Sequence, residues 1–447
     1  MILSLLSLGA LSLVAFADAT DGEDTDPYAV PDLSAAPYVY LYNIENDTVI
    51  QSKGSTSEHV IAGPTVKLMS GLVVSEQLAG DLERKITITR EMLDEAEDAG
   101  GNSIGYYEGE VVTAHQLLFG MLTNSANDAT VLLAISVAGS VDEFVDLMNK
   151  KAVSIGAKAT YYADPTGMDP ASVTTVADCA AVAMCVYADS TLMEVVGTPK
   201  YVMEATNKSD YRDIYNRNCL MSKHYRSDYY YERALGMNAG STADSGYSSV
   251  TLARSKEGDL TYLCIIMGSS TLAKENSSEK ELTNYSYAVS LFEWAFKTYG
   301  YRSVLHAGRV QCEIPVELSS AVDYVTLVPE NEISVYMPMY ADLEKDVMIK
   351  SDAEESVSAP VEKGQKLGTA RVIYDGHEIG STALCATADI SRSEFLYALA
   401  RIRSFVQSRF FIAAAVSALV LSVGYVFMTA HLRRRRLRSR VPGRYRR

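Results

Sequence analysis

The chain has 447 residues, of which 48% are hydrophobic and 21% charged. This composition excludes a disordered protein, and the length is sufficient for two folded domains. The formal net charge is −16, yet residues 401–447 hold twelve arginines and no lysine or acidic residue. The rest of the chain is therefore more acidic than the whole, which argues against nucleic acid as a partner.

The chain opens with a short apolar segment. Residues 2–17 end in Ala15-Phe16-Ala17, the small-x-small pattern that signal peptidase reads, so we predict a signal peptide over residues 1–17 and export of the chain. Because no lysine or arginine precedes the apolar run, an uncleaved anchor or a wrongly assigned start is the alternative. Residues 18–34 are acidic, contain proline and lack periodicity, which predicts a mobile linker.

Residues 35–303 carry strand patterns at both ends and helical patterns between them. Apolar alternation predicts early strands, and apolar residues recurring every three or four positions predict the helices. The predicted strands lie at 38–44, at 48–52 and as a pair within 248–268, and the predicted helices at 64–78, 113–122, 128–137, 141–154, 175–187 and 285–299. Strands first, helices in the middle and strands again indicate an α/β sandwich whose sheet is assembled from both ends of the domain.

The C-terminal part changes character twice. Residues 304–390 contain short strand-like runs separated by turns, which predicts a small all-β domain. Residues 391–409 place Phe395 and Leu399 on one helical face, which favours a juxtamembrane amphipathic helix, with a plain helical stalk as the alternative.

An uncharged segment follows at residues 410–430 and is long enough to cross a membrane. The tail at residues 431–447 holds nine arginines, which the positive-inside rule places in the cytoplasm. We therefore predict a single-pass membrane protein whose body is extracytoplasmic. A buried core helix with a basic tail is the alternative, but core helices rarely stay uncharged over this length.

Neither the six cysteines nor the six histidines follow the spacing of a disulfide framework or a zinc site. We therefore predict no metal and no cofactor, and we expect the cysteines to be small buried apolar residues.

Several motifs resemble those of one enzyme family. Ser125-Ala126-Asn127 lies between two helical segments, and further matching segments follow it in order. These are Asp164-Pro165-Thr166-Gly167, Asn216-Arg217-Asn218 and Ala359-Pro360-Val361-Glu362-Lys363-Gly364. Together they resemble the low-molecular-weight penicillin-binding proteins, the serine D-alanyl-D-alanine carboxypeptidases, over roughly residues 37–390. The resemblance implies a penicillin-binding or β-lactamase-like transpeptidase domain, an α/β sandwich with a helical subdomain, followed by the small β domain and a membrane anchor.

The family's chemistry needs an S-x-x-K motif, in which Ser attacks the peptide carbonyl and Lys one helical turn later takes its proton. Here Lys67 is present, but Pro64 occupies the position of the nucleophile. Proline is tolerated in the first turn of a helix, so the helix should still form. Thr65 has the wrong spacing from Lys67, and Ser70 should lie one turn deeper, so neither is an obvious replacement.

The family's K-T-G motif is also altered. The aligned residues are Asn238, Ala239 and Gly240, so the resemblance implies that the cation attracting the substrate carboxylate and the hydroxyl that binds it are both lost. Of the three motif positions, only the third still carries the family's residue, Gly240. The resemblance thus implies a degenerate substrate-binding strand.

The retained residues Lys67, Ser125 and Asn127 occupy the family's catalytic positions and admit two interpretations. They could line a cleft that binds a peptidoglycan stem peptide, or they could form a satisfied polar cluster that joins two helical segments. Tyrosines crowd residues 225–231, which indicates a loop packed over the cleft or a surface that stacks on carbohydrate.

Two functions follow from these motifs. The first is a membrane-anchored, catalytically impaired relative that acts as a binding or scaffold module, with peptidoglycan stem peptides or cell-wall proteins as partners. The second is an active D-Ala-D-Ala carboxypeptidase that uses an unconventional nucleophile. An enzyme would lose turnover on substitution of Ser125, whereas a binding module would have none to lose.

Overall fold

The computed structural model describes residues 26–78, 80–223, 225–273 and 278–438. The predicted signal peptide lies outside the described residues. The chain divides into two compact units after Thr298.

The helices of the first unit surround one buried core. Their bounds are α1 Val66–Leu78, α2 Arg90–Ala99, α3 Ala114–Thr123, α4 Asn127–Ala138, α5 Val141–Ser154, α6 Val176–Ala188, α7 Ser190–Val196 and α8 Thr283–Thr298. Threonine and serine side chains at the N-caps of α2, α3, α5 and α6 accept hydrogen bonds from the first turn. All six predicted helices lie within two residues of their predicted bounds, and a 3₁₀ turn, Gly63–Thr65, precedes the first.

The strands of the first unit form one main sheet and several short hairpins. Their bounds are β1 Tyr38–Asn43, β2 Thr48–Lys53, β3 Val60–Ile61, β4 Lys85–Thr87, β5 Val111–Thr113, β6 Val173–Thr174, β7 Lys200–Met203, β8 Arg212–Tyr215, β9 Ala234–Thr242, β10 Gly246–Arg254, β11 Thr261–Ser269, β12 Thr271–Ala273 and β13 Lys280–Leu282. The main sheet has the order β2-β1-β11-β10-β9 and is antiparallel. Both ends of the unit supply its strands, as predicted, and β9 is an edge strand.

The two faces of this sheet pack against different helices. Val250 and Ile265 are paired across β10 and β11 and lie in the same buried core as Leu68 of α1. Ser249 points to the opposite face, since neighbouring strand residues alternate, and its hydroxyl donates to the carbonyl of Asn284 on α8 at 2.9 Å. Helices therefore cover both faces of the sheet, which is the predicted α/β sandwich.

The second unit contains a β domain and two helices. Its strands are β14 Tyr299–Leu305, β15 Cys312–Glu317, β16 Tyr324–Pro329, β17 Ile333–Pro338, β18 Val347–Ala353, β19 Val357–Ser358, β20 Lys366–Tyr374 and β21 His377–Ala386. Its helices are α9 Leu343–Asp346, α10 Glu394–Val406 and α11 Arg409–Arg438. A six-stranded sheet, in the order β18-β20-β21-β16-β15-β19, carries most of the buried apolar residues. Of the described helices, one segment, Arg409–Arg435, is long and apolar enough to cross a membrane.

Two boundaries differ from those predicted. The carbonyl of Tyr28 accepts a hydrogen bond from the Trp294 indole at 2.7 Å, and Leu33 is buried, so the described part of the predicted linker packs on the first unit. Apolar side chains among the acidic residues explain this. The second unit begins at Tyr299 rather than after residue 303, because β14 pairs with β17.

Candidate functional site

A cleft of about 570 Å³ opens where the start of α1, the segment before α4 and the edge strand β9 meet. Such a volume suits a peptide-sized or smaller ligand. Its lining includes Pro64, Lys67, Asn102, Ser125, Asn127, Thr166, Arg217, Tyr225, Arg226, Ala239, Gly240 and Tyr247. The structure therefore brings together residues that are distant in sequence and that the motifs had singled out separately.

Pro64 is buried in the 3₁₀ turn Gly63–Thr65 that leads into α1. A missing N–H costs little at this position, so the sequence keeps the helix start while carrying proline there. The pyrrolidine ring lies directly against β9: a Cβ added to Gly240 would be 2.9 Å from Cγ of Pro64. Glycine at 240 is therefore needed for this close approach. This ring belongs to the residue that the sequence analysis aligned with the nucleophile of the S-x-x-K motif.

Lys67 follows on α1 and is 2% exposed. Its ammonium donates to the carbonyl of Thr166 at 2.7 Å. Burial lowers the pKa of Lys67 to about 8, although the nearby charge of Asp164 opposes that shift. The loop that carries Thr166 sits tightly on the Pro64 turn, since a Cβ added to Gly167 would be 1.8 Å from the Gly63 carbonyl oxygen.

The two other hydroxyls near Lys67 on this segment are already engaged. Thr65 donates to the Ala62 carbonyl at 2.7 Å, and Ser70 donates to the Pro165 carbonyl at 2.7 Å. Ser70 has no exposed surface, and neither residue lines the cleft. Each hydroxyl thus stabilises local packing of the backbone and is turned away from a ligand.

Ser125 and Asn127 lie at the start of α4. Ser125 is half-buried and has φ of +57°, a left-handed conformation that is uncommon for serine and often marks functional sites. Asn127 donates its side-chain amide to the Gly100 carbonyl at 2.9 Å. Within the described residues, no hydrogen bond joins Lys67, Ser125 and Asn127 to one another. Backbone carbonyls from two other loops satisfy the two buried side chains instead, those of Lys67 and Asn127.

The three residues at the K-T-G position do not all line the cleft. Ala239 and Gly240 line the cleft, whereas Asn238 does not. Asn238 is 1% exposed, and neither polar atom of its side chain has a hydrogen-bond partner among the described residues. Asn238 was predicted as a substrate-binding residue, but its short side chain is directed into the protein on the same strand face as Gly240.

Two arginines complete the cleft and were not predicted as site residues. Arg217 donates to the Tyr225 hydroxyl at 2.9 Å and to the Asn102 side-chain oxygen at 3.2 Å, and Arg226 lies beside it. The Asn216-Arg217-Asn218 segment had been noted only for its resemblance to the family. The crowded tyrosine segment does border the cleft, because Tyr225 is part of the lining.

The charge of this cleft is opposite to that of the body. The described residues of its lining include three cations, Lys67, Arg217 and Arg226, and no aspartate or glutamate. None of the three forms an ion pair in the part of the chain that the structure describes. Partly desolvated cations without carboxylate partners can attract an anionic group of a ligand. No group of three or more potential metal-ligating side chains occurs among the described residues.

Comparison with known proteins agrees with this architecture. The family model "D-alanyl-D-alanine carboxypeptidase" matches residues 25–271, and "Penicillin-binding protein 5, C-terminal domain" matches residues 299–392. The D-alanyl-D-alanine carboxypeptidase DacF of Bacillus subtilis is 26% identical over 409 residues, which cover 90% of this chain and 97% of the relative. DacA of Escherichia coli is 25% identical over 414 residues, covering 88% and 94%.

The crystal structures of penicillin-binding protein 5 from Haemophilus influenzae share the fold at a TM-score of 0.56 and 21% identity, covering 81% of this chain and 100% of that one. The Streptomyces K15 DD-transpeptidase matches at a TM-score of 0.53 and 25% identity, covering 60% and 99%. Since the first family model spans more than half of the sequence, the chain belongs to the D-alanyl-D-alanine carboxypeptidase family of low-molecular-weight penicillin-binding proteins.

Proposed function

We propose that this protein is a membrane-anchored, extracytoplasmic member of the family that binds peptidoglycan stem peptides and does not hydrolyse them efficiently. The observation that carries the proposal is the buried ring of Pro64 at the nucleophile position, packed against Gly240. Acyl transfer through this position would need an oxygen that proline lacks.

The neighbouring hydroxyls support the same proposal. Thr65 and Ser70 donate to backbone carbonyls and lie outside the cleft lining. Moving either hydroxyl to a substrate would leave a buried carbonyl oxygen without its partner, which is costly. The loss of a hydroxyl at Ala239 removes a further group that could hold the substrate.

Binding is supported by the three cations of the cleft. Stem peptides that end in D-alanine carry a terminal carboxylate, and the relatives are named for cleaving D-alanyl-D-alanine. Arg217 is half-buried, and its side chain donates only to neutral groups, those of Tyr225 and Asn102. Its guanidinium can therefore donate hydrogen bonds to a carboxylate of the ligand. We propose that Arg217 gives the carboxylate a contact that supports binding, without replacing the lysine and threonine of the K-T-G motif.

We expect the full-length protein in detergent micelles to form no covalent adduct with a fluorescent penicillin by intact mass. It should release no D-alanine from a pentapeptide ending in D-Ala-D-Ala, because no activated hydroxyl stands at position 64. The same peptide should bind reversibly, as measured by calorimetry. Arg217→Ala should weaken that binding about ten- to a hundredfold, which corresponds to one charge-assisted hydrogen bond.

Arg90→Ala is the matched control for peptide binding, since Arg90 is an exposed residue of α2 paired with Asp94 outside the cleft. It should bind the peptide like the unaltered protein. A penicillin adduct or measurable D-alanine release by the unaltered protein would overturn the proposal.

An active carboxypeptidase with an unconventional nucleophile is the alternative function. Ser125 is the hydroxyl that favours it, because Ser125 lines the cleft and makes no hydrogen bond to another described residue. If the unaltered protein releases D-alanine and Ser125→Ala abolishes that release without abolishing peptide binding, the alternative is correct.

Membrane attachment is part of the proposal. The Arg409–Arg435 segment is apolar enough to span a bilayer, and the arginine-rich tail favours a cytoplasmic C-terminus. On α10, Phe395, Ile402 and Phe405 are more than half exposed, which suits a helix that lies on the extracytoplasmic face of the membrane.

Protease added to intact spheroplasts should digest the body of the protein and leave an epitope tag placed after Arg447 protected. Detergent permeabilisation provides the control, since it should expose the tag. Digestion of the tag in intact spheroplasts would contradict this orientation.

A further inference from the structure

A second groove adjoins the cleft on the other side of the β9–β10 turn. Its volume is about 930 Å³, and it is lined by hydroxyl-bearing side chains of β1, of the β9–β10 hairpin and of the end of β11. We call it the hydroxyl groove and define it by Tyr38, Ser241, Asp244, Tyr247, Ser270 and Thr271. Ser241 and Tyr247 also line the cleft, so the two cavities share part of their lining.

The groove differs from the cleft in charge. Its described lining contains no lysine, arginine or histidine and one carboxylate, that of Asp244. Such a surface offers no cation to an anionic ligand. The two cavities therefore suit different chemical groups: the cleft suits a carboxylate, and the groove suits an uncharged ligand.

Several polar groups of the groove remain available to a ligand. The hydroxyls of Ser241, Tyr247 and Thr271 and the carboxylate of Asp244 make no hydrogen bond to any other described residue. Hydroxyls both donate and accept, and a carboxylate accepts strongly from ligand hydroxyls. The half-buried rings of Tyr38 and Tyr247 add amphipathic surface on which the apolar side of a ring can rest.

Free hydroxyls, one carboxylate and aromatic rings in a cavity of this size match the chemistry of a neutral oligosaccharide. We propose that the hydroxyl groove binds the glycan strand to which a stem peptide is attached, while the peptide itself occupies the cleft. The choice of this ligand rests on the proposed function. Tyr247 lies where the sugar and the peptide would meet.

The direct test is calorimetric titration of the full-length protein with tetraacetylchitotetraose, in a detergent without a sugar head group. We expect saturable binding of this neutral sugar. Thr271→Val removes one hydroxyl of the groove and none of the cleft, so it should weaken sugar binding about fivefold and leave pentapeptide binding unchanged. Adding Tyr247→Phe should weaken sugar binding about tenfold or more in total.

The matched control is Tyr211→Phe with Thr369→Val, which removes the same two kinds of hydroxyl at exposed positions outside the groove. It should bind the sugar like the unaltered protein. Absence of sugar binding, or sugar binding that is unaffected by Tyr247→Phe with Thr271→Val, overturns this inference. If the unaltered protein binds the sugar but not the pentapeptide, the proposed function is overturned and the assignment of the groove stands.

Discussion

Pro64→Ser alone is expected to leave the protein without efficient D-alanine release. The new hydroxyl would stand three residues before Lys67, whose lowered pKa of about 8 suits proton transfer, so slow acylation by penicillin is expected. The substrate carboxylate would still lack the lysine and threonine replaced by Asn238 and Ala239. Each charge-assisted hydrogen bond lost is worth on the order of 1.5–3 kcal/mol, so turnover should stay far below that of a repaired site.

Repair should require Pro64→Ser, Asn238→Lys and Ala239→Thr together. The three changes should be strongly non-additive in kcat/KM, because the groups act as one unit. Because Asn238 is buried, a longer lysine there should extend its ammonium toward the polar cleft, since a buried unpaired charge is costly. D-alanine release and intact mass after penicillin treatment are the two measurements.

Pro64→Ala is the matched control for this series. It removes the ring that abuts Gly240 and restores the N–H, but it adds no nucleophile, so any adduct seen only with serine comes from the new hydroxyl. If Pro64→Ser alone releases D-alanine as fast as the triple variant, the role assigned to positions 238 and 239 is wrong.

Local patterns were sufficient to predict most of the first unit. Helix α5 begins and ends at the predicted residues, because Ser140 caps it and its apolar face is regular. Helix α2 was not predicted: it is strongly acidic and buries only Met92 and Ala96, so few apolar residues mark its buried face. The motif residues, which are distant in sequence, also meet at one cleft in the fold.

The partners of the site residues could not be predicted, because they depend on contacts between distant segments. Lys67 pairs with the carbonyl of Thr166, which is 99 residues away in sequence. No side-chain pattern identifies a backbone acceptor. The cationic character of the cleft was hidden for a similar reason, as Arg217 and Arg226 lie in an otherwise acidic body and become neighbours of Lys67 only in the fold.

Arg212→Leu is expected to destabilise the first unit by about 3–5 kcal/mol, because it leaves the Glu110 carboxylate buried without its cation. The Glu110 side chain has no exposed surface and accepts from Arg212 at 2.8 and 3.0 Å and from the Thr206 hydroxyl at 2.7 Å. The second guanidinium nitrogen, Nη2, also donates to the Gly105 carbonyl at 3.1 Å. Glu110 therefore holds the loop that follows Asn102 of the cleft.

The effect should depend on pH. Burial tends to raise the pKa of Glu110, but hydrogen bonds from Arg212, Thr206 and the Tyr107 backbone outweigh it, so the pKa lies below its ordinary value. The ionised pair thus contributes stability above the ordinary glutamate range, and this is lost as pH falls through the lowered pKa. In Arg212→Leu, burial without the cation should raise the pKa of Glu110. The difference in the free energy of unfolding between the unaltered protein and Arg212→Leu should therefore be largest near pH 7 and become smaller toward pH 4.

Trp294 makes this measurable in the full chain. It is the single tryptophan of the sequence and is 8% exposed within the first unit, so its fluorescence follows urea unfolding of that unit alone.

Lys200→Leu is the matched control, since the Lys200–Asp213 pair on the same hairpin is partly exposed and its loss should change stability little. Adding Glu110→Leu to Arg212→Leu should recover part of the lost stability, because it removes the stranded charge. The buried pair would not hold this loop if Lys200→Leu and Arg212→Leu lowered the free energy of unfolding equally. The same would follow if the difference between the unaltered protein and Arg212→Leu became larger on acidification.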